Sequence, residues 1–239
     1  NLAVGAILNK AGYPHLAATA VTDKAPELAK RWPNSFWLLG TSAGAAIMSS
    51  TMFGHPKPVL ATLKLGLTDG EEITPGLGFI GDDVFVDQHL LVRGRFARML
   101  PAMLQKGYKL GLGIDENTAM VVGPNRDVEV LGYKGALVVD LSAANARQGA
   151  FNVSNVRLSY LDNGDRFNIS SQTFTPAPDK ADGRLDPARP YYREPLFSAD
   201  ILGNSTVVDL MGKLIDSDQL DAIGLTLGSP HGVQPELGF

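Results

Sequence analysis

Phe36-Trp37-Leu38-Leu39-Gly40-Thr41-Ser42-Ala43-Gly44-Ala45-Ala46-Ile47-Met48 is the stretch on which the reading of this chain turns. An apolar run, 36 to 40, has the character of a buried strand, and the small residues after it open a helix expected over 43 to 50. Between them stands a serine two residues from a glycine on either side. Small neighbours permit the sharp, strained turn that lifts a hydroxyl clear of a sheet edge, and the first N–H groups of the helix behind it lack partners within the helix. In a chain with 26 glycines the pentapeptide alone arises readily by chance. Its place between strand and helix is what points to a nucleophile rather than to a glycine-rich turn that only packs closely.

Two further strand ends carry polar groups. Val84-Phe85-Val86 runs into Asp87-Gln88-His89, and a helix expected over 94 to 106 follows with Arg93, Arg95 and Arg98 about its start. Arg95 and Arg98, three apart, share a helix face. Pro101 is expected to kink that helix, and Gly107 suits its C-terminus. The third segment, Leu110-Gly111-Leu112-Gly113-Ile114, leads into Asp115-Glu116-Asn117. A serine needs a base to take its proton, and the base needs a carboxylate on its other ring nitrogen to fix the tautomer. Ser42, His89 and Glu116 fit these roles, with the alternative that Asp115 and Glu116 only cap a turn.

Gly-Thr-Ser-Ala-Gly-Ala-Ala, Asp-Gln-His with Arg-Gly-Arg-x-x-Arg, and Gly-x-Gly-Ile-Asp-Glu-Asn-Thr-Ala together resemble the signature blocks of the cyanophycinases, in a serine peptidase family that also contains aspartyl dipeptidase. The resemblance runs from about residue 35 to about 140, in the family's order. It implies a serine-type exopeptidase with Ser42 as nucleophile, His89 as base and Glu116 as orienting acid. Ala43 would supply an oxyanion N–H, and Asp87, Gln88, Arg93, Arg95, Arg98 and Asn117 would line the substrate pocket. The implied substrate is cyanophycin, a polyaspartate with arginine on each side-chain carboxyl, or a shorter β-aspartyl peptide. Arginine forks match such carboxylates through paired, charge-assisted hydrogen bonds.

The resemblance also implies an α/β fold: a three-layer sandwich with a mostly parallel sheet, flavodoxin-like or amidotransferase-like. A β-rich second half follows, with short strands at 119 to 122, 128 to 131, 135 to 141, 155 to 161 and 167 to 170. Residues 1–170 are expected to form the C-terminal part of the catalytic domain and 171–239 a long loop and extension packed on it. The family has more chain ahead of the serine turn than the 41 residues present here. The expectation is therefore that an N-terminal segment or a separate chain completes the sheet, since bare strand edges and apolar faces demand cover. A homodimer is a further expectation drawn from the resemblance.

The remaining features set bounds. A net charge of −4 argues against nucleic-acid binding as the main task. No apolar stretch is long enough to span a bilayer. No metal or other cofactor is expected: there is no cysteine, and His15, His55 and His231 show no ligand spacing. Compartment stays open, with a lean toward secretion. A helix is expected over 15 to 31, a surface loop from 173 to 194, and an amphipathic helix carrying Val207, Leu210, Met211 and Leu214. Two competing functions are kept. One is an α/β-hydrolase esterase using Ser42, His231 and one of Asp200, Asp209 or Asp216; the other is an inactive binder of acidic peptides.

Overall fold

The computed structural model describes residues 17–18, 39–40, 42–147, 151–226 and 237–238. The helix expected over 15 to 31 lies outside the described residues except at Ala17–Ala18, which form a short strand paired in parallel with Leu39–Gly40 and not a helix; most of the apolar run before Ser42, and His15 and His231, also lie outside them.

In chain order the N-terminal half contains β1 (Ala17–Ala18), β2 (Leu39–Gly40), α1 (Ala43–Ala46), β3 (Thr51–Phe53), α2 (Val59–Leu65), β4 (Ile73–Pro75), β5 (Val84–Gln88), α3 (Phe96–Lys106) and β6 (Leu110–Ile114). The chain continues with β7 (Thr118–Val122), β8 (Asp127–Gly132), β9 (Ala136–Asp140), β10 (Asn145–Ala146), β11 (Val153–Ser154), β12 (Arg157–Leu161), β13 (Arg166–Asn168) and β14 (Thr173–Thr175). It closes with β15 (Leu196–Ser198), α4 (Thr206–Ile215), β16 (Ala222–Gly224) and β17 (Leu237–Gly238).

The central sheet has the order β12-β9-β6-β5. Only β5 and β6 run parallel in it; β6 with β9, and β9 with β12, are antiparallel. A second sheet, β14-β13-β8-β7, is antiparallel throughout. The expected mostly parallel sheet is therefore corrected: the described sheets are mostly antiparallel. The cause is local. After β6 the chain makes a hairpin, β7 and β8, in another sheet; Thr118 pairs with Gly132, so the hairpin returns the chain to the end it left, and β9 starts opposite Ile114 and runs back along β6.

Side-chain alternation assigns the two faces of the central sheet to different partners. Phe85, Leu137 and Val139 face the helices, joining Phe96, Met99, Leu100 and Met103 of α3 and Val207 and Leu210 of α4 in one buried cluster. Val84, Val86, Leu110, Leu112, Ala136 and Val138 face the second sheet, meeting Val128, Val130 and Phe167. Helices cover one face and a sheet covers the other, and the expected three-layer sandwich with a mostly parallel sheet is not borne out by the described residues. Glycines at 111 and 113 let α3 and the turn before it lie close on β6. A methyl group at 113 would sit 1.8 Å from Leu90 Cδ2, and one at 111 would sit 2.7 Å from the Met103 sulfur.

Helix α3 ends as expected on Gly107, at φ 77 in the left-handed region, and it carries Pro101 within it. Helix α1 is shorter than expected. Beyond Ala46 the carbonyls of Ile47, Met48 and Ser49 accept N–H groups of Leu77, Ile80 and Gly78 instead of continuing the helix. Among the described residues no helix is long and apolar enough to cross a membrane.

Candidate active site

Strand β2 ends at Gly40, where a side chain would strike the Gly44 carbonyl oxygen at 2.0 Å. That contact is the physical reason for the first glycine of the pentapeptide: the chain folds back on itself too tightly for a Cβ. Ser42 takes φ 51 and ψ −122 at the turn, a conformation costly for any residue with a side chain, and its hydroxyl is exposed. The segment behind it is pinned to β5 by the buried Ser49, whose Oγ accepts the Val86 N–H at 3.3 Å. This tie sets the serine turn beside the end of β5.

At that end His89 also has a positive φ, 51, as does Asn117 at 55 beside the third strand end. Three of the residues singled out from the sequence thus sit in sparsely populated backbone conformations, each at the mouth of a strand. His89 Nε2 lies 3.1 Å from Ser42 Oγ. Gln88 Oε1, at 3.5 Å, is the more distant acceptor for the same hydroxyl. The far ring nitrogen, Nδ1, lies 3.0 Å from Glu116 Oε1. The contact is close but is not an aligned hydrogen bond, and the buried Nδ1 has no aligned partner among the described residues. The Glu116 side chain is 45% exposed, which leaves its carboxylate room to turn toward the ring.

Hydroxyl, imidazole and carboxylate therefore meet in a row, each from a different strand end. Ala43 is exposed at the first position of α1, and its N–H belongs to the turn that presents the serine. Arg93 is exposed, and Arg95 is partly buried, with its Nη1 donating to the Gln88 carbonyl at 3.2 Å. Burial, reinforced by the Arg98 charge, lowers Arg95 below the ordinary arginine value. Among the described residues no carboxylate forms an ion pair with Arg95 or Arg93.

Asp87 and Arg98 do something else. Arg98 Nε and Nη2 donate to Asp87 Oδ2 and Oδ1, both at 2.7 Å, and the two side chains are 0% and 3% exposed. The guanidinium lies 4.3 Å from the centre of the Phe53 ring, and Asp87 Oδ1 also accepts the Gln88 N–H. Asp87 and Arg98, expected at the substrate pocket, have their charges committed to each other inside the core. Phe96 through Leu100, the whole first turn of α3, is buried.

Asp115, offered by the sequence as a turn cap, is buried. Its Oδ2 accepts the N–H groups of Leu91 and Val92, both at 2.9 Å, and its Oδ1 accepts the Glu116 N–H at 2.9 Å. Of the competing esterase residues, Asp209 is paired with Lys213 on α4, while His231 lies outside the described residues.

The chain is similar to known proteins. It is 35% identical over 143 residues to a cyanophycinase of Geminocystis herdmanii, covering 54% of this chain and 48% of that protein. It is 37% identical over 147 residues to a cyanophycinase of Trichormus variabilis, covering 59% and 48%. A cyanophycinase of Synechococcus elongatus is 33% identical over 169 residues, covering 66% and 51%. The chain is thus cyanophycinase-like over its matched residues, and it spans about half the length of the curated relatives it matches. No protein-family model matches it.

Proposed function

We propose that the chain carries the catalytic residues of a serine-type peptidase that cleaves β-aspartyl linkages of cyanophycin, releasing β-Asp-Arg dipeptides. The observation that carries the reading is the hydroxyl–imidazole–carboxylate row: 3.1 Å from Ser42 Oγ to His89 Nε2 and 3.0 Å from His89 Nδ1 to Glu116 Oε1. With its proton on Nδ1, the imidazole accepts the serine proton at Nε2 as Oγ attacks the scissile carbonyl. Glu116 steadies the imidazolium that results. The oxyanion forms next to the Ala43 N–H, the first donor of the helix behind the serine. Collapse expels the leaving amine with the proton returned by His89, and water, activated by the same base, releases the acyl group and regenerates Ser42.

Arg93 and Arg95 are the cations left available for the free carboxylates of such a substrate. Arg95 favours this role because a partly desolvated guanidinium without an ion-pair partner among the described residues gains most from meeting an anion. Gln88 and Asn117 are the neutral groups at the same rim. The cyanophycinases among the relatives support the polymer over a short isoaspartyl dipeptide as substrate.

The test is product analysis on purified cyanophycin, with Ser42→Ala and His89→Ala set beside His231→Ala. Dipeptide release that falls to a small residual rate in the first two variants and survives in full in the third supports the reading. Activity lost with His231 and retained without His89 would transfer the chemistry to an esterase arrangement. Polymer retained on the protein with no dipeptide would leave only a binder.

A further inference from the structure

We propose that Asp115 is a positioning residue which holds the His89 turn and the Glu116 backbone in one frame, so that base and acid stay in register. This rests on the peptidase reading of Ser42, His89 and Glu116, and assigns a task to a buried carboxylate that the proton transfers themselves do not use.

His89 has to leave strand β5 in a left-handed conformation, which the chain does not hold without support. The support is a set of hydrogen bonds around it. The Gln88 carbonyl before it is held by Arg95 Nη1, and Leu90 N–H after it reaches the Ile114 carbonyl at a long 3.4 Å. The next two N–H groups, Leu91 and Val92, both converge on Asp115 Oδ2 at 2.9 Å. Asp115 is 6% exposed, so these bonds are sheltered from competing water. Its other oxygen takes the N–H of Glu116, the residue whose side chain faces the imidazole. One carboxylate therefore spans the base's turn and the acid's backbone. All three of its partners are donors, and that is why the position calls for a group with acceptors on both sides.

The same count makes Asp115→Asn informative. An asparagine has one oxygen, so its amide NH2 must face either Glu116 N–H or the Leu91 and Val92 pair, and one half of the clamp is replaced by donor opposing donor. The variant nearly preserves shape, yet it lets the His89 turn and Glu116 move independently. Misplacement on the scale of an ångström is enough to lower turnover by ~100-fold.

The experiment is a double-mutant cycle on dipeptide release by the full polypeptide, using Asp115→Asn, His89→Ala and the double variant, with Ser42→Ala as reference. Folding of each is followed by circular dichroism. A positioning role predicts that Asp115→Asn lowers kcat by at least about tenfold in folded protein while KM stays within about twofold. It also predicts that the substitution has no further effect once His89 is alanine. Wild-type kcat in Asp115→Asn, or an equal loss with and without His89, overturns the proposal. Should Asp115→Asn fail to fold, Asp115→Glu takes its place in the cycle, since it keeps the charge but sets the oxygens a methylene too far; the same outcomes apply. Activity retained in Ser42→Ala would instead reject the peptidase reading itself.

Discussion

Replacing Asp87 by alanine leaves the Arg98 guanidinium buried with no counter-ion, and the size of the penalty follows from how the pair is built. Both Asp87 oxygens are engaged at 2.7 Å, and the partners are 0% and 3% exposed, so water does not replace what is lost. Arginine cannot shed its proton to escape, and swinging out to solvent would forfeit the contact with Phe53 and open the first turn of α3. Breaking one side of such a pair costs about 3–5 kcal/mol. In a chain of 239 residues this lowers the midpoint of thermal unfolding by about 6–20 °C. Replacing both partners, as in Asp87→Leu with Arg98→Met, removes the orphaned charge and is expected to recover most of that loss. Urea unfolding of the two single variants and the double variant measures the coupling directly. If Asp87→Ala costs under about 1 kcal/mol and instead raises KM for cyanophycin, Asp87 meets substrate after all and its assignment to the core is wrong.

Three further outcomes are expected. Gly113→Ala pushes a methyl group to 1.8 Å from Leu90 Cδ2, immediately after His89, so it should cost about 1–3 kcal/mol and reduce turnover in protein that still folds; unchanged activity would show that Leu90 shifts without moving the base. Glu116→Gln should lower kcat, but by less than the ~10⁴-fold known for a buried triad acid, because this carboxylate is 45% exposed and water can stand in for it. At the surface, hydrogen bonding to Arg126 holds the Asp83 carboxyl below the usual carboxylate range. Its contribution to stability is therefore fully present above the unfolded-state value and is lost as pH falls through the lower folded one. With Asp83 60% exposed, the Asp83→Asn penalty should be at most about 1 kcal/mol at pH 7 and should fade below pH ~4 in acid titrations of stability.

Much of this site can be read from residue order because each part is local. A glycine that admits no Cβ, a serine between strand and helix, and a β-branched run ending in Asp-Gln-His all announce themselves within a few residues. The C-cap at Gly107 and the apolar face of α4 are legible for the same reason: Val207 and Leu210 recur at helical spacing and are buried. Strand direction is not local. Nothing in Ala136–Asp140 distinguishes a strand entering beside β6 in parallel from one entering in reverse, and the reversal follows from where the hairpin before it sends the chain. Arginine orientation is equally hidden. Arg95 and Arg98 lie three apart about the start of α3, yet one reaches a rim carbonyl and the other a buried carboxylate, because the face each meets comes from β5 and β3 rather than from the helix.

Glu116 rides on the short link, 115 to 117, by which the chain leaves the central sheet for the antiparallel one. The distance from acid to base is therefore also a gauge of how the two sheets sit on one another. Val128, Val130 and Phe167 from one sheet interlock with Val84, Val86 and Leu112 from the other. Trimming any of these side chains changes the spacing of the layers, and a shift of a few tenths of an ångström there arrives at Glu116 while Ser42, anchored to β5, stays put. Trimming this apolar seam should therefore lower any turnover at Ser42 together with stability.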